Sequence, residues 1–214
     1  MQEKFRNKYR VESTRLQNWN YGWQAAYFIT ICTKGRKSFF GDVINGKMEL
    51  NEIGNIAKNE WLKTFEMRPD MNLLMGEFMI MPNHFHSIII IGKNQYNSNS
   101  PTAAMHCGPN NTDAMHCDNS NAMQCGPGRT DAMHCVSTNI PGHIPKNEFG
   151  PQSKNLGSII RGFKIGVTTR ARIINSSFAW QPLYHDHIIR DQRSFERISE
   201  YIKNNPKKWT GENG

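Results

Sequence analysis

Two apolar runs separated by a two-residue break constrain this chain more than any other feature. Phe78-Met79-Ile80-Met81 stops at Pro82-Asn83, and His84-Phe85-His86 then leads into Ser87-Ile88-Ile89-Ile90-Ile91. Both runs have the length and composition of strands, and Pro-Asn is turn chemistry, so two strands meet here at a tight connection. Side chains alternate faces on a strand, which puts His84 and His86 on the same side. Two imidazoles on a rigid strand make two ready metal ligands or two phosphate donors. The plainer alternative is a strand start carrying two half-exposed histidines.

The surrounding chain supplies an α+β pattern. Tyr27 to Thr33 is almost wholly β-branched and aromatic, a buried strand. Val43-Ile44 and Met48 to Leu50 flank Asn45-Gly46, a strong hairpin signal. From about Asn51 to Phe65, Ile53, Ile56, Ala57, Trp61 and Leu62 recur at helical spacing. Met71 to Met81 and His84 to Ile91 give two more strands, and an antiparallel sheet follows.

With 214 residues the chain suits one domain carrying an insertion. No apolar run is long enough for a membrane span. The charged start, Met1 to Arg6, lacks the apolar core of a secretory signal. Of the five cysteines, Cys32 lies in an apparent core strand and the others lie in a repeat. Nothing there forms a disulfide framework, so a cytoplasmic protein is expected. The net charge of +8 suits a polyanionic partner. Residues 1–20 hold Lys8, Arg10 and Arg15 near Tyr9 and Trp19, either a nucleic-acid-contacting arm or a solvated tail.

Composition changes between about Lys93 and Gln152, where Asn, Ser, Gly, Pro and Thr dominate and no core can form. Residues 1–92 and 153–214 are therefore read as two parts of one domain around a disordered insertion at 93–152. Inside it, one unit recurs at Ala104-Met105-His106-Cys107, Ala114-Met115-His116-Cys117, Ala122-Met123-Gln124-Cys125 and Ala132-Met133-His134-Cys135. Soft ligands of this kind could hold zinc or copper. The uneven steps, Gln124 in one copy and the lack of a close Cys-x-x-Cys pair favour an expanded repeat in a tolerant loop.

Structure resumes at Asn155 to Arg172, where Leu156, Ile159, Ile160, Phe163 and Val167 form a helical stripe. Arg161, Lys164, Arg170 and Arg172 lie mostly off it, giving a basic outer face that is either solvated or in contact with phosphates. Phe178 to Arg190 reads as extended. A last helix runs from near Asp191 to about Asn204, with Ile198, Tyr201 and Ile202 on one side and Pro206 stopping it. Tyr201 and Asn205, four apart, share a face near its end. Phosphodiester cleavage needs such parts: a metal to polarise the phosphate and a nucleophile aligned opposite the leaving oxygen.

Pro82-Asn83-His84-Phe85-His86, Trp180-Gln181, Asp186 to Asp191 and Tyr201-Ile202-Lys203-Asn204-Asn205-Pro206 together resemble the REP-associated tyrosine transposases. These are relatives of the single-strand HUH insertion-sequence transposases. The resemblance covers most of the chain outside the insert, and the ordered pairing of histidine pair with Tyr-x-x-x-Asn-Pro carries it. It implies a ferredoxin-like antiparallel sheet with helices packed on one face. It also implies that His84 and His86 are metal ligands for Mg²⁺ or Mn²⁺ and that Tyr201 is the nucleophile. Asn205 falls where the related enzymes place a third polar ligand, familiar there as Gln. Tyr184 is the rival nucleophile but lacks a ligand partner at helical spacing.

The expected activity is a metal-dependent single-strand DNA endonuclease and strand transferase acting through a 5′-phosphotyrosine. The expected partner is single-stranded, hairpin-forming DNA, bound by a monomer or homodimer with no membrane involved. Arg10, Arg15, Arg161, Lys164, Arg170 and Arg172 are the candidate DNA contacts. Two other classes stand beside this reading: a catalytically silent DNA- or RNA-binding module on the same scaffold, and a soft-metal-binding protein built on the repeats.

Overall fold

The computed structural model describes residues 16, 19–98 and 153–210, with the backbone of a short ladder between β1 (Lys4–Phe5) and β2 (Lys8–Tyr9). The body runs β3 (Ala25–Cys32), β4 (Gly41–Ile44), β5 (Lys47–Leu50), α1 (Glu52–Glu66), β6 (Leu73–Met81), β7 (His84–Ile91), α2 (Leu156–Ile174), β8 (His185–Ile189) and α3 (Gln192–Asn204). Four strands pair antiparallel in the order β6-β7-β3-β8. With α1 and α2 as the two crossovers, this is the βαββαβ arrangement of a ferredoxin-like sheet, as expected from the sequence. The β4–β5 hairpin stands apart, and Asn45 and Gly46 both take the positive φ its tight turn demands (51° and 71°).

One face of the sheet carries Tyr27, Ile29 and Ile31 from β3 with Phe85 and Ile89 from β7, all fully buried. Onto it pack Ala57 and Trp61 of α1 and Ile160, Phe163 and Val167 of α2. Trp61 is the pivot, its ring 4.9 Å from Phe85 and 5.2 Å from Phe163. These two helices each begin on a capping asparagine: Asn51 accepts from Gly54 N, and Asn155 forms a reciprocal capping box with Ser158. Close approach of α1 and α2 depends on Gly166, where an added Cβ would overlap the buried Glu60 carboxylate.

The expectation of helices on one face needs correction, because it holds for α1 and α2 but not for α3. Ile198 and Ile202 of α3 pack with Ala26, Ile88 and Ile189 on the opposite face. The physical reason lies in β7. Its run from Ile88 to Ile91 does not alternate with polar residues, and a strand apolar on both sides must be covered on both sides.

The polar stretch after β7 starts within the body. Asn97 is buried and donates to the Gly22 and Gly92 carbonyls, and Asn94 donates to Met71 and Gly92. Tyr96 donates to the Asp70 carboxylate at 2.9 Å, and Lys154, from the far end of the stretch, pairs with that carboxylate and sits 4.9 Å over the Tyr96 ring. These partners hold the Asp70 carboxyl below its ordinary value, Lys154 contributing most. The Met-His-Cys repeats lie outside the described residues. Among those residues no helix is long and apolar enough to cross a membrane.

Candidate active site on the α3 face

Register fixes where the histidines point. On β7, His84 pairs with Cys32 and His86 with Thr30 of β3, all on the face opposite the Ile31–Phe85 pair. The two imidazoles are 4.5 Å apart between ring centres. From across this face α3 brings Tyr201, whose hydroxyl lies 3.4 Å from His86 Nε2. Phe28 completes the contact, stacked on His86 at 5.4 Å and edge-on to Tyr201 at 6.1 Å. Tyr201 stays 44% exposed. Tyr201, His84, His86, Thr30 and Cys32 line a cavity of about 290 Å³ together with Asn205, Arg36, Lys208 and Trp209.

Hydrogen bonds orient both rings. His84 Nδ1 meets Asn83 Oδ1 at 2.7 Å, and the same amide donates from Nδ2 to the Arg36 carbonyl, which fixes which end faces the ring. His84 Nδ1 therefore carries the proton, and its lone pair is left on Nε2. His86 Nδ1 meets Thr30 Oγ1 at 2.9 Å, so its Nε2 is likewise the atom turned toward Tyr201. Burial, with the Arg36 charge adding, pushes His84 down to about 4. Burial, then His84 and His185, pushes His86 down to about 3. Neutral imidazoles with Nδ1 anchored from behind are the form that ligates a divalent metal. The Asn205 amide lines the same cavity as the two imidazoles. Among the described residues no three His, Cys, Asp or Glu side chains cluster at metal-binding distance, so a divalent ion would depend on two histidines and a neutral amide. That donor set leaves the rest of a divalent ion's coordination to water or substrate oxygens.

The remaining candidates lie elsewhere. Tyr184 packs against the core of the α1–α2 face, away from the histidine pair. On α2, Lys164 donates to the Gln181 and Leu183 carbonyls at 2.8 and 3.0 Å, and burial lowers its proton affinity. Arg170 pairs with buried Glu60 at 2.8 Å, and Arg172 donates to the Phe178 carbonyl at 3.0 Å. Arg161 is exposed on the same helix. All four belong to the helix on the far face of the sheet. Arg10 and Arg15 lie outside the described residues. Sequence reasoning missed Arg36, Lys208 and Trp209 in the cavity wall. The signal was available as Lys207-Lys208-Trp209, cations beside an aromatic ring directly after α3.

No family model matches the chain. Among solved structures, it is similar to a REP-associated tyrosine transposase bound to a REP hairpin, at a TM-score of 0.49 and 14% identity, over 93% of this chain and 74% of that one. A Haemophilus influenzae protein described as uncharacterized is 35% identical over 201 residues, covering 92% of this chain and 88% of its own length. At that identity and coverage, this chain and the Haemophilus influenzae protein are members of one family.

Proposed function

We propose that this chain cuts and rejoins single-stranded DNA, with Tyr201 as the nucleophile. The observation that carries the reading is the Tyr201 hydroxyl 3.4 Å from His86 Nε2, with His84 and Asn205 on the same cavity. The ordered motifs of histidine pair and Tyr-x-x-x-Asn-Pro support it from the sequence side. The Tyr201 oxygen forms a bond to phosphorus as the bond from phosphorus to the 3′ oxygen breaks. The tyrosine then holds a 5′-phosphate, the departing oxygen takes a proton to become a 3′-OH, and the tyrosine's own proton passes to solvent or base. Attack by a 3′-OH on the phosphotyrosine reverses these bonds and rejoins DNA.

His84, His86 and Asn205 would hold Mg²⁺ or Mn²⁺, which supplies charge neutralisation at the scissile phosphate. Arg36 and Lys208, in the cavity wall, are placed to bind the phosphates on either side. Trp209, its ring 5.7 Å from His84, offers a flat surface for a neighbouring base. The α2 cations would reach only a strand long enough to pass to the other face.

The test is incubation with labelled single-stranded hairpin DNA and Mg²⁺, followed by peptide mapping of any protease-sensitive adduct. The expected result is one covalent adduct on the peptide containing Tyr201. An adduct on Tyr184, or binding with no adduct, would overturn the assignment and leave a silent nucleic-acid-binding module.

A further inference from the structure

Tyr201 belongs to a longer stripe on α3. Arg193, Arg197, Tyr201 and Asn205 are spaced by four, so they follow one edge of the helix. Opposite that edge lies β8, an edge strand. Its His185 pairs with Thr30 and its His187 with Phe28. Thr30 and Phe28 stand on the nucleophile's side of the sheet, so His185 and His187 do too. The row across the sheet therefore reads His86, Thr30, His185. With partly exposed Phe28 and Thr30 as the floor, that helix edge and β8 would form the two walls of a trough beginning at the Tyr201 cavity.

Arg193, Arg197, His185 and His187 are all exposed. Neither arginine has an ion-pair or hydrogen-bond partner among the described residues, in contrast to Lys164, Arg170 and Arg172 of α2. Arg197 lies close enough to His187 to add to the burial that lowers its proton affinity. Among the carboxylates nearby, Glu200 is exposed on α3 next to Tyr201, and Glu196 accepts from Gln192. Asp186 pairs in register with Ile29 on the far face, and Asp191 accepts from the Ser194 amide and hydroxyl.

We propose that this trough carries the single-stranded segment flanking the scissile phosphate. Arg193 and Arg197 neutralise successive phosphates while the rings of Phe28 and His187 receive bases. Cations tracking a backbone beside flat rings is the pattern of sequence-tolerant single-strand binding. The inference rests on the Tyr201 reading for its direction but can fail separately from it.

The experiment uses the full chain carrying Tyr201→Phe, so that nothing is cleaved, and fluorescence anisotropy with labelled oligothymidylate across a salt series. Arg193→Ala with Arg197→Ala is expected to weaken binding about tenfold and to flatten the log–log salt slope by ~1.4, the share of two phosphate contacts. Lys58→Ala with Lys63→Ala, removing the same charge from α1, serves as the matched control and is expected to change affinity less than about twofold. Equal losses in the two double variants would reduce the effect to net charge and overturn the trough. So would unchanged affinity in the Arg193/Arg197 variant, even if wild-type chain forms the Tyr201 adduct. A selective loss in that variant without any adduct from wild type would keep the trough and remove the cleavage reading.

Discussion

The two basic helices, α2 and α3, look alike in sequence and differ in what their charges do. On α2 the cations are drawn inward: Lys164 ties down the 181–183 segment, Arg170 neutralises buried Glu60, and Arg172 caps the Phe178 carbonyl. On α3, Arg193 and Arg197 project to solvent along the edge that bears Tyr201, and only Lys203 is taken up, by Glu77 at 2.9 Å. A count of positive residues cannot separate a helix that uses charge to hold itself in place from one that presents charge to a partner. The sheet between them makes the separation physical, since each helix addresses its own face.

The sharpest way to break this comparison is to exchange nucleophile candidates. Tyr201→Phe is expected to lower adduct formation about a thousandfold or more, because the Tyr201 hydroxyl is the one beside His86 Nε2, while the Thr30 hydroxyl is bound to Nδ1 behind the ring. Tyr184→Phe, on the α2 face, is expected to leave it within about threefold. Adduct yield on a denaturing gel reads both, and parity between the variants would dissolve the distinction of faces.

Stability should show the reverse order. Arg170→Ala leaves the Glu60 carboxylate buried without its partner, and with Arg170 itself half exposed the expected cost is about 2 kcal/mol by urea denaturation. Arg193→Ala with Arg197→Ala, both exposed, should stay within about 0.5 kcal/mol. An α3 variant as damaging as the α2 one would mean its charges also serve the fold.

Acid should attack through the α3 face. His84 and His86 are held at about 4 and about 3, below the ordinary 6.5, so the unfolded chain takes up protons first as pH falls. The stability they contribute is complete above about pH 6.5 and is lost progressively toward about pH 3. In chelator, melting temperature against pH should decline over that window, and the decline should flatten in His84→Gln with His86→Gln. An unchanged profile would place the acid-sensitive groups elsewhere.

The smallest effect is expected from neither face. Replacing residues 99–152 with a short Gly/Ser linker should move the melting temperature by about 2 °C or less, because both ends are already held beside Asp70 and closure entropy varies slowly with length. A large fall would show that the removed segment supports the body.

Much of the sheet was legible because its signals are local. Asn45-Gly46 specifies its own turn, and the alternation around His84 and His86 specifies their face. The helix carrying Tyr201 was bounded by Asp191 and Pro206, each of which acts on its own neighbours. The face chosen by α3 is not a local property. It depends on Ile198 and Ile202 finding Ile88, whose side of β7 looked no different from the other in an unbroken isoleucine run. The fates of Lys164 and Arg172 were hidden for a related reason, since each is engaged by carbonyls of a segment that follows the helix and has no pattern of its own. Extended chain was expected from Phe178 to Arg190, but only His185–Ile189 is strand, with Trp180 forming one bridge to Thr33.

The contact of Tyr96 and Lys154 around Asp70 has a consequence for how this gene can change. The chain departs from the body and returns to it at one spot, so the span between can gain or lose a ten-residue unit without shifting the register of α2. Loop closure scales with the logarithm of length, and one added unit costs only ~0.2 kcal/mol or less. Replication slippage within the Ala-Met-His-Cys units is therefore expected to leave the melting temperature of the body nearly unchanged. Their number is free to drift until something other than stability selects it.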